Sequence, residues 1–282
     1  MFWYNYKTNE KSHNGRKSSV SCNYQDHLID SISIESEISN SISDSRELSY
    51  KCIPLKKSWW IPKRILDFFG SLIGLVVLAP VILFAMLVVR VTSNGPIFFA
   101  HIRVGQHGKI FKCIKFRTMV IGAEAFGSIT TVNDSRITLA GRILRRYKLD
   151  ELPQLLNVLG GKMSLVGPRP DVSGYVDHIQ GDARQVLELL PGITGPATLL
   201  FRNEEYLLAK VTRQNAFNDE VIYPEKIRIN QEYLKTASFL RDIGYILATI
   251  MPFVTKLIGL DSCLGLNYET FSKRMEKEAS RY

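Results

Sequence analysis

The densest group of side chains with catalytic potential in this chain is a pair of adjacent carboxylates, Asp150 and Glu151. Three cations stand just before them: Arg145, Arg146 and Lys148. A carboxylate acts as a nucleophile toward phosphorus or binds Mg²⁺ through hard oxygen ligands, and the start of a following helix favours anions. The segment therefore predicts a phosphate-handling site; the alternative is a helix start with dipole-matched acids and ordinary surface bases.

Two further segments carry cations in settings that suit anion binding. Arg169 lies between Pro168 and Pro170, which fix the backbone on both sides, so this arginine loses little entropy when it makes a forked contact with phosphate. Lys115 and Arg117 lie on the same side of a predicted short strand. The alternatives are a rigid loop with a capping arginine and a solvated strand face.

Other common catalytic signatures are absent from the sequence. It contains no Walker-type loop, GxGxxG turn, HExxH or GxSxG motif. The five histidines form no close-spaced metal pair, and the four cysteines are scattered without a CxxC pair. We interpret the cysteines as free thiols in a reducing compartment.

A long apolar segment precedes these motifs. Residues 68 to 89 are 22 consecutive uncharged positions, a length that would cross a bilayer as a straight helix. Pro80 lies near the middle and removes a backbone hydrogen bond, and basic residues flank both ends, whereas a spanning helix has its cations biased toward the cytoplasm. We therefore predict a helix-break-helix that enters the membrane and returns, in preference to an ordinary span or a buried soluble helix.

Composition limits the class of protein without choosing the ligand. Hydrophobic residues make up 45% of the chain, which excludes wholesale disorder. Lys and Arg outnumber Asp and Glu by 36 to 27, a net charge of +9 that suits nucleic acid, an anionic membrane surface or phosphorylated substrates equally well. A nucleic-acid binder requires a basic stripe with interleaved aromatics or a recognition helix, and the sequence shows neither pattern.

The elements around these motifs predict an α+β fold: a small membrane-seated domain with an N-terminal proline-broken re-entrant helix, short strands and amphipathic interfacial helices. The predicted divisions are a polar disordered tail at 1–55, the membrane helix-break-helix at 56–92, a catalytic domain at 93–258 and a C-terminal tail at 259–282. Within the catalytic domain we expect short strands near 95–119, helices near 138–160, 181–190 and 203–217, and an amphipathic helix within 224–258.

In this order the segments resemble the bacterial sugar transferase family, the monotopic phosphoglycosyl transferases that start glycan assembly on undecaprenyl phosphate. The resemblance covers roughly residues 60 to 250. It is carried by four stretches: KRILDFFGSLIGLVVLAP, GPIFFAHIRVGQHGKIFKCIKFRTM, DSRITLAGRILRRYKLDELPQLLNVLGGKMSLVGPRP and PGITG. The length and order of the third stretch leave little room for chance agreement.

The resemblance implies a two-step phosphoryl transfer. Asp150 would be the nucleophile that attacks the β-phosphorus of a UDP-sugar and expels UMP, and a polyprenyl phosphate would then attack the resulting phosphosugar-aspartyl intermediate. Glu151 is implied as the dyad partner, and both acids are expected to bind the cofactor Mg²⁺. The expected substrate and phosphate contacts are Arg145, Arg169, Arg117, Lys115 and Arg202.

The same resemblance implies a cellular setting. The protein is expected in the bacterial cytoplasmic (inner) membrane, with Pro80 at the membrane break and the catalytic domain on the cytoplasmic face. A UDP-sugar and a polyprenyl phosphate are the expected partners, nucleic acid is not, and a homodimer is left open. The product would enter exopolysaccharide, O-antigen, capsule or glycoprotein synthesis.

Two departures from the family pattern keep alternatives open. Long forms of the family carry additional membrane helices before this core, so a short form is implied here. After PGITG many members continue with a stretch like QVNGR, whereas this chain reads PATLLFRNEE, where Arg202 and Glu204 are the expected substitutes. The alternatives are a catalytically idle member that acts as a structural partner in glycan assembly, and a plain glycosyltransferase that releases UDP.

Overall fold

The computed structural model describes residues 57–123, 130, 134–172, 174, 179 and 181–282. The polar tail predicted at 1–55 lies outside the described residues. Helices and short strands alternate in the described part of the chain, in agreement with the predicted α+β class.

The first two helices form a bent pair. Helix α1 runs Lys57–Val77 and helix α2 runs Ala79–Thr92. Pro80 lies in the first turn of α2, where its missing N–H is tolerated, although it prevents α1 from continuing straight. Among the described residues no single helix is long and apolar enough to cross a membrane; α1 and α2 meet that requirement only together, with a bend of 63° between them.

Two small sheets follow. Strands β1 (Phe98–Val104) and β2 (Ile110–Phe116) lie in the region where short strands are predicted and form an antiparallel hairpin, which pairs Phe98 with Phe116 and Val104 with Ile110. Its turn contains His107 and Gly108 at positive φ. Strands β3 (Ser164–Val166) and β4 (Gly192–Thr194) form a short parallel pair.

Most of the remaining described chain is helical. The helices include α3 Leu139–Arg146, α4 Gln154–Leu159, α5 Pro196–Leu200, α6 Glu204–Ala209, α7 Gln214–Phe217, α8 Tyr223–Thr236, α9 Phe239–Ile250, α10 Pro252–Leu257, α11 Leu260–Cys263 and α12 Tyr268–Ala279. The segment predicted as one amphipathic helix is divided, because Ser238 caps α9 and Pro252 starts α10. The predicted C-terminal tail contains α11 and α12.

A buried polar cluster, which we call the clip, fastens α1 to the helices at the end of the chain. Asp242 on α9 accepts hydrogen bonds from Lys63 Nζ (3.0 Å), Trp59 Nε1 (3.0 Å) and Tyr233 Oη (2.6 Å). Lys63 also donates to the carbonyl of Val166 at 2.7 Å. Because a buried charge is stable only when paired and hydrogen-bonded, these contacts fix α1 against α8, α9 and β3.

Large apolar side chains remain exposed on two parts of the surface. On α1 and α2 they include Phe68, Phe69, Ile73, Val76, Val77, Leu83, Phe84, Leu87 and Val91. On α9 and α10 they include Leu240, Ile250, Phe253 and Leu257. Soluble monomers rarely expose contiguous apolar patches of this kind, and such patches mark partner or membrane contacts.

Candidate active site

A single tight turn carries the two carboxylates into the interior. Lys148 has left-handed backbone geometry, with φ of 55°, and ends α3 before the turn Leu149–Glu151. A non-glycine residue in this region is uncommon and is found where the surrounding structure enforces it. The reversal leaves Asp150 only 7% exposed and Glu151 only 8% exposed.

Glu151 is held by two cations. Arg169 forms a forked contact, with Nη1 at 3.2 Å from Oε2 and Nη2 hydrogen-bonded to Oε1, while Lys115 Nζ lies 3.1 Å from Oε1. Burial alone opposes ionisation of Glu151, but the charges of Arg169 and Lys115 outweigh it and bring its pKa well below the ordinary value. Glu151 is therefore a carboxylate locked in its charged form.

Asp150 has a different environment. Its Oδ1 is buried and accepts no hydrogen bond from any residue that the structure describes. Burial, followed by the neighbouring charge of Glu151, raises the pKa of Asp150, while the charges of Lys115, Arg145 and Lys148 act in the opposite direction. An oxygen with free lone pairs and raised basicity, surrounded by cations, is suited to attack an electrophilic phosphorus.

The two cations on Glu151 come from rigid elements. Lys115 lies on β2 opposite Phe99 of β1, and burial lowers its pKa while the charge of Glu151 raises it. Arg169 lies in the loop after β3, where Gly167 donates to the carbonyl of Thr194 at 2.9 Å and Gly192 donates to that of Pro168 at 2.7 Å.

The loop after β3 and the loop around β4 pack backbone against backbone. A Cβ on Gly167 would lie 2.3 Å from the carbonyl oxygen of Leu190, and one on Gly192 would lie 2.1 Å from the nitrogen of Gly167. Glycine is therefore required at both positions, because any side chain would push the loops apart. The contact holds Arg169 in place.

Helix α1 is fastened to strand β3, which leads into the loop that carries Arg169. Asp67 Oδ1 accepts from the backbone N–H of Leu165 at 2.8 Å and from Ser164 Oγ at 2.9 Å. Arg64 pairs with Asp67 at 2.9 Å and donates to the carbonyl of Met163 at 3.2 Å. The bent apolar pair and the loop that carries Arg169 are thus one connected unit.

The remaining predicted cations lie at different distances from the carboxylates. Arg145 donates to Thr118 Oγ1 at 3.1 Å and pairs with Glu205 at 3.5 Å, and its charge acts on Asp150. Arg117 donates to Ser93, to the carbonyl at 2.9 Å and to Oγ at 2.7 Å. Arg202 is exposed and donates to the carbonyl of Ala248 at 3.5 Å. The phosphate-binding role expected of Arg117 and Arg202 stays a prediction.

The structure shows a second group of charged and polar side chains, most of which sequence reasoning did not identify. We call this group the outer layer; its members are Arg103, Asp171, Glu204, Tyr223 and Lys226. Only Glu204 was singled out from the sequence, because it replaces a family motif; Asp171 directly follows Arg169-Pro170, which is the one sequence signal that points to it. The other members come from separate segments that only the tertiary fold brings together.

The two expected metal ligands, Asp150 and Glu151, are not equally suited to bind Mg²⁺. In the described part of the chain no group of three or more His, Cys, Asp or Glu side chains is arranged around a common point. Mg²⁺ is commonly bound by one or two carboxylates together with substrate phosphates, and Asp150 offers a buried oxygen that accepts no hydrogen bond within the described residues. Both oxygens of Glu151 already contact cations. Asp150 therefore fits the role better than Glu151.

Comparisons with known proteins find sequence similarity over most of the chain. A model of the family described as bacterial sugar transferase matches residues 58–256. The exopolysaccharide production protein ExoY of Sinorhizobium fredii is 32% identical over 67% of this chain and 84% of its own length. An uncharacterized sugar transferase, EpsL of Bacillus subtilis, is 34% identical over 67% of this chain and 86% of its own.

A longer relative has a name that specifies a reaction. The undecaprenyl-phosphate galactose phosphotransferase of Salmonella typhimurium is 35% identical over 69% of this chain, but the match spans only 40% of that protein. Its matching part therefore corresponds to most of the present chain, while more than half of the Salmonella protein has no counterpart in the match.

Proposed function

The chain belongs to the bacterial sugar transferase family, and from that membership and the geometry of the site we propose that it transfers a sugar 1-phosphate from a UDP-sugar to a polyprenyl phosphate and releases UMP. One observation carries the proposal. Asp150 offers a buried oxygen that accepts no hydrogen bond from the described residues, beside a carboxylate that is held by two cations.

The proposed first step is a displacement at phosphorus. An Asp150 oxygen forms a bond to the β-phosphorus of the UDP-sugar, the bond from that phosphorus to the bridging oxygen breaks, and UMP leaves with the electron pair. Lys115, Arg145 and Arg169 provide the positive charge that lets a carboxylate approach a pyrophosphate dianion. A fixed arrangement of these cations requires little reorganisation as charge moves onto the leaving group.

The proposed second step restores the enzyme. An oxygen of the polyprenyl phosphate attacks the same phosphorus, the bond to Asp150 breaks, and the carboxylate is regenerated. The product is a polyprenyl pyrophosphate that carries the sugar. Glu151 takes no part in bond formation in this scheme; it holds Arg169 and Lys115 next to Asp150.

We further propose that Mg²⁺ is the cofactor, with Asp150 as its principal ligand and Glu151 in a supporting position. When bound with the donor, the metal would neutralise pyrophosphate charge and stabilise the departing UMP. The cations around Asp150 orient the phosphates and exclude competing positions for the donor.

The exposed apolar surfaces support a membrane location. We propose that the bent pair α1–α2 enters the cytoplasmic membrane and returns, with the apolar side chains of α9 and α10 at the interface and the active site on the cytoplasmic face. Cations lie at both ends of the pair: Arg64 is half-buried near the start, and Arg90 is exposed near the end. This arrangement suits a transfer from a water-soluble nucleotide sugar to a lipid phosphate.

The test is nucleotide release from the full chain in nanodiscs that contain undecaprenyl phosphate, with Mg²⁺ and a panel of UDP-sugars. UDP-galactose comes first, because relatives from Salmonella typhimurium and Erwinia amylovora carry galactose in their names. We expect UMP from one or more donors, and loss of UMP release in Asp150→Asn with unchanged membrane insertion. Release of UDP, or full activity of Asp150→Asn, would contradict the mechanism, and a folded protein silent with every donor would favour the idle structural role.

A further inference from the structure

The outer layer borders the carboxylate pair through Arg169. Lys226 Nζ lies 2.8 and 2.7 Å from the two oxygens of Glu204, and Tyr223 Oη lies 3.5 Å from Asp171 Oδ2. The charge of Arg169 acts on Asp171, and the charge of Glu204 acts on Arg169. Arg169 therefore links the two groups: it contacts Glu151 directly, and Asp171 of the outer layer follows it two residues along the chain.

Arg103 of the outer layer is charged and only partly satisfied. It donates to the carbonyl of Pro170 at 3.1 Å, but its Nε is buried and contacts no hydrogen-bond acceptor within the described residues. Buried polar groups are rarely left without partners in the functional state of a protein, so the Arg103 guanidinium is a candidate for a ligand contact. Its charge also acts on Asp171, whose pKa is raised by burial against the charges of Lys226, Arg103 and Arg169.

The two layers differ in charge balance. Around the carboxylate pair, Lys115, Arg145, Lys148 and Arg169 outnumber Asp150 and Glu151. In the outer layer two cations, Arg103 and Lys226, are matched by two carboxylates, Asp171 and Glu204. An excess of positive charge favours phosphate, whereas a neutral set of donors and acceptors favours an uncharged ligand with many hydroxyl groups.

We propose that the outer layer binds the hydroxyl groups of the sugar being transferred, with Asp171 and Glu204 as acceptors and Lys226 and Arg103 as donors. The inference rests on the proposed function. The hexose is bonded to the β-phosphorus that Asp150 attacks, so it must lie next to the carboxylate pair. The ribose is one phosphate further away, so it is less suited than the hexose to contact a layer that is linked to the carboxylate pair through Arg169.

The outer layer would then determine which donor is used. Carboxylates that accept from sugar hydroxyls discriminate between epimers, because a hydroxyl that changes direction leaves a buried charged acceptor without its partner. One of the two carboxylates lies in the stretch that departs from the family pattern: Glu204 follows PATLLFRN, whereas Asp171 directly follows the matching GPRP.

The experiment measures equilibrium binding in nanodiscs in the Asp150→Asn background, which holds donors without turnover. The probes are UDP-galactose, UDP-glucose, UDP-N-acetylglucosamine and UMP. The test variants are Asp171→Asn and Glu204→Gln, which keep size and shape. Glu232→Gln is the matched control, since Glu232 lies on the same helix as Lys226 and its carboxylate pairs with Arg228 at 3.5 Å.

We expect both test variants to raise the dissociation constant of the preferred UDP-sugar by about tenfold or more and to change the ratio between the epimeric donors. UMP binding should stay at the wild-type level, which also shows that the variants are folded, and Glu232→Gln should match wild type throughout. Equal weakening of UMP and all UDP-sugars would assign the layer to the ribose and overturn the proposal.

Unchanged binding of every probe in both test variants would equally overturn it. Failure of the proposed function has a separate signature. If the background protein binds neither UMP nor any UDP-sugar, the nucleotide-sugar donor itself is wrong and both proposals fall. If the background protein binds UMP and UDP-sugars and the outer-layer variants bind them equally well, the proposed function stands and the sugar assignment fails.

Discussion

At the scale of single residues, the surroundings of two adjacent carboxylates separate their chemistry. Glu151 is paired with Arg169 and Lys115, and its pKa lies well below the ordinary value. Burial and the charge of Glu151 raise the pKa of Asp150 instead. Neighbouring acids whose pKa values are pushed apart by their environments commonly divide the tasks of a reaction, which supports Asp150 as the nucleophile and Glu151 as the anchor for the cations.

The raised pKa of Asp150 predicts the pH dependence of turnover. In the proposed mechanism only ionised Asp150 attacks phosphorus, so kcat/KM, which follows ionisation of the free enzyme, should fall with acidification at a higher pH than an ordinary aspartate would give. The charge of Arg145 lowers the pKa of Asp150, so Arg145→Gln should move this acidic limb to still higher pH. The measurement is kcat/KM for UMP release at fixed Mg²⁺ between about pH 4 and 8.

The neighbouring residue provides the control for this prediction. Arg146 lies over the ring of Tyr147 at 5.9 Å, and Arg146→Gln should leave the acidic limb in place. An acidic limb that does not move in Arg145→Gln would contradict the electrostatic account.

The effect of Asp150 on folding stability has the opposite sense to that of Glu151. Because its pKa is raised in the folded state, Asp150 stabilises the fold at low pH and loses that contribution as the pH rises through the folded-state pKa.

Sequence reasoning reached the carboxylate pair but not its whole environment. Asp150 and Glu151 lie in one contiguous motif, so adjacency along the chain already brings them together. Asp171 and Lys226 meet only because helix α8 folds back toward the loop after β3. Lys226 has no local pattern that distinguishes it from a surface charge, and Asp171 has only its position after Arg169-Pro170, so long-range contacts are needed to identify the outer layer.

At the scale of elements, the break in the apolar segment was predictable because proline acts locally. Pro80 lies within two residues of the junction at Leu78, as expected for a residue that cannot continue the preceding helix. The 63° bend was not predictable, because the angle depends on what α2 packs against. Its buried residues Ala85 and Val89 contact Phe116 of β2 and Leu144 of α3.

The re-entrant arrangement predicts what removal of the break should do. A continuous helix through residue 80 would bear the cost of an interior proline, about 3 kcal/mol. Pro80→Ala restores the backbone N–H and removes that cost, so α1 and α2 should merge into one helix long enough to span the membrane. A protease site placed before residue 57 should then change sides of the membrane in oriented vesicles. Pro62→Ala, near the start of α1, is the control and should keep the wild-type side.

Two outcomes would contradict this prediction. If the protease site in Pro80→Ala stays on the wild-type side while the protein remains membrane-bound, the bend is held by the contacts of α2 with β2 and α3. If wild type itself places that site on the face opposite the catalytic domain, the segment is an ordinary span and the re-entrant proposal fails.

At the scale of the whole molecule, the fold joins an apolar anchor to a charged site through a few buried polar contacts. Asp67 and the clip at Asp242 fasten α1 to β3, α8 and α9, and the loop after β3 carries Arg169 to Glu151. If α1 and α2 enter the membrane as proposed, the same contacts hold the cations around Asp150 at a fixed position relative to the bilayer. The sequence indicated each part, but the connection between them required the tertiary structure.

The C-terminal segment is the largest feature that the sequence did not assign. It lies beyond the family match, which ends at 256, and its polar composition gave no apolar run to interpret. In the structure α12 buries Phe271, Met275 and Ala279 against the core around Phe217. The ring of Phe271 packs edge-on against Phe201 at 4.9 Å.

This packing predicts that α12 stabilises the outer layer from behind. Lys226 lies over the same Phe201 ring at 5.4 Å, so Phe271→Ala should remove the support of a residue that positions Lys226. We expect the free energy of unfolding to fall by about 3 kcal/mol, measured by thermal unfolding in nanodiscs, with Lys273→Ala on the exposed side of α12 as the unchanged control. Stability equal to wild type in Phe271→Ala would mean that α12 is dispensable and that Phe201 and Lys226 are held in place without it.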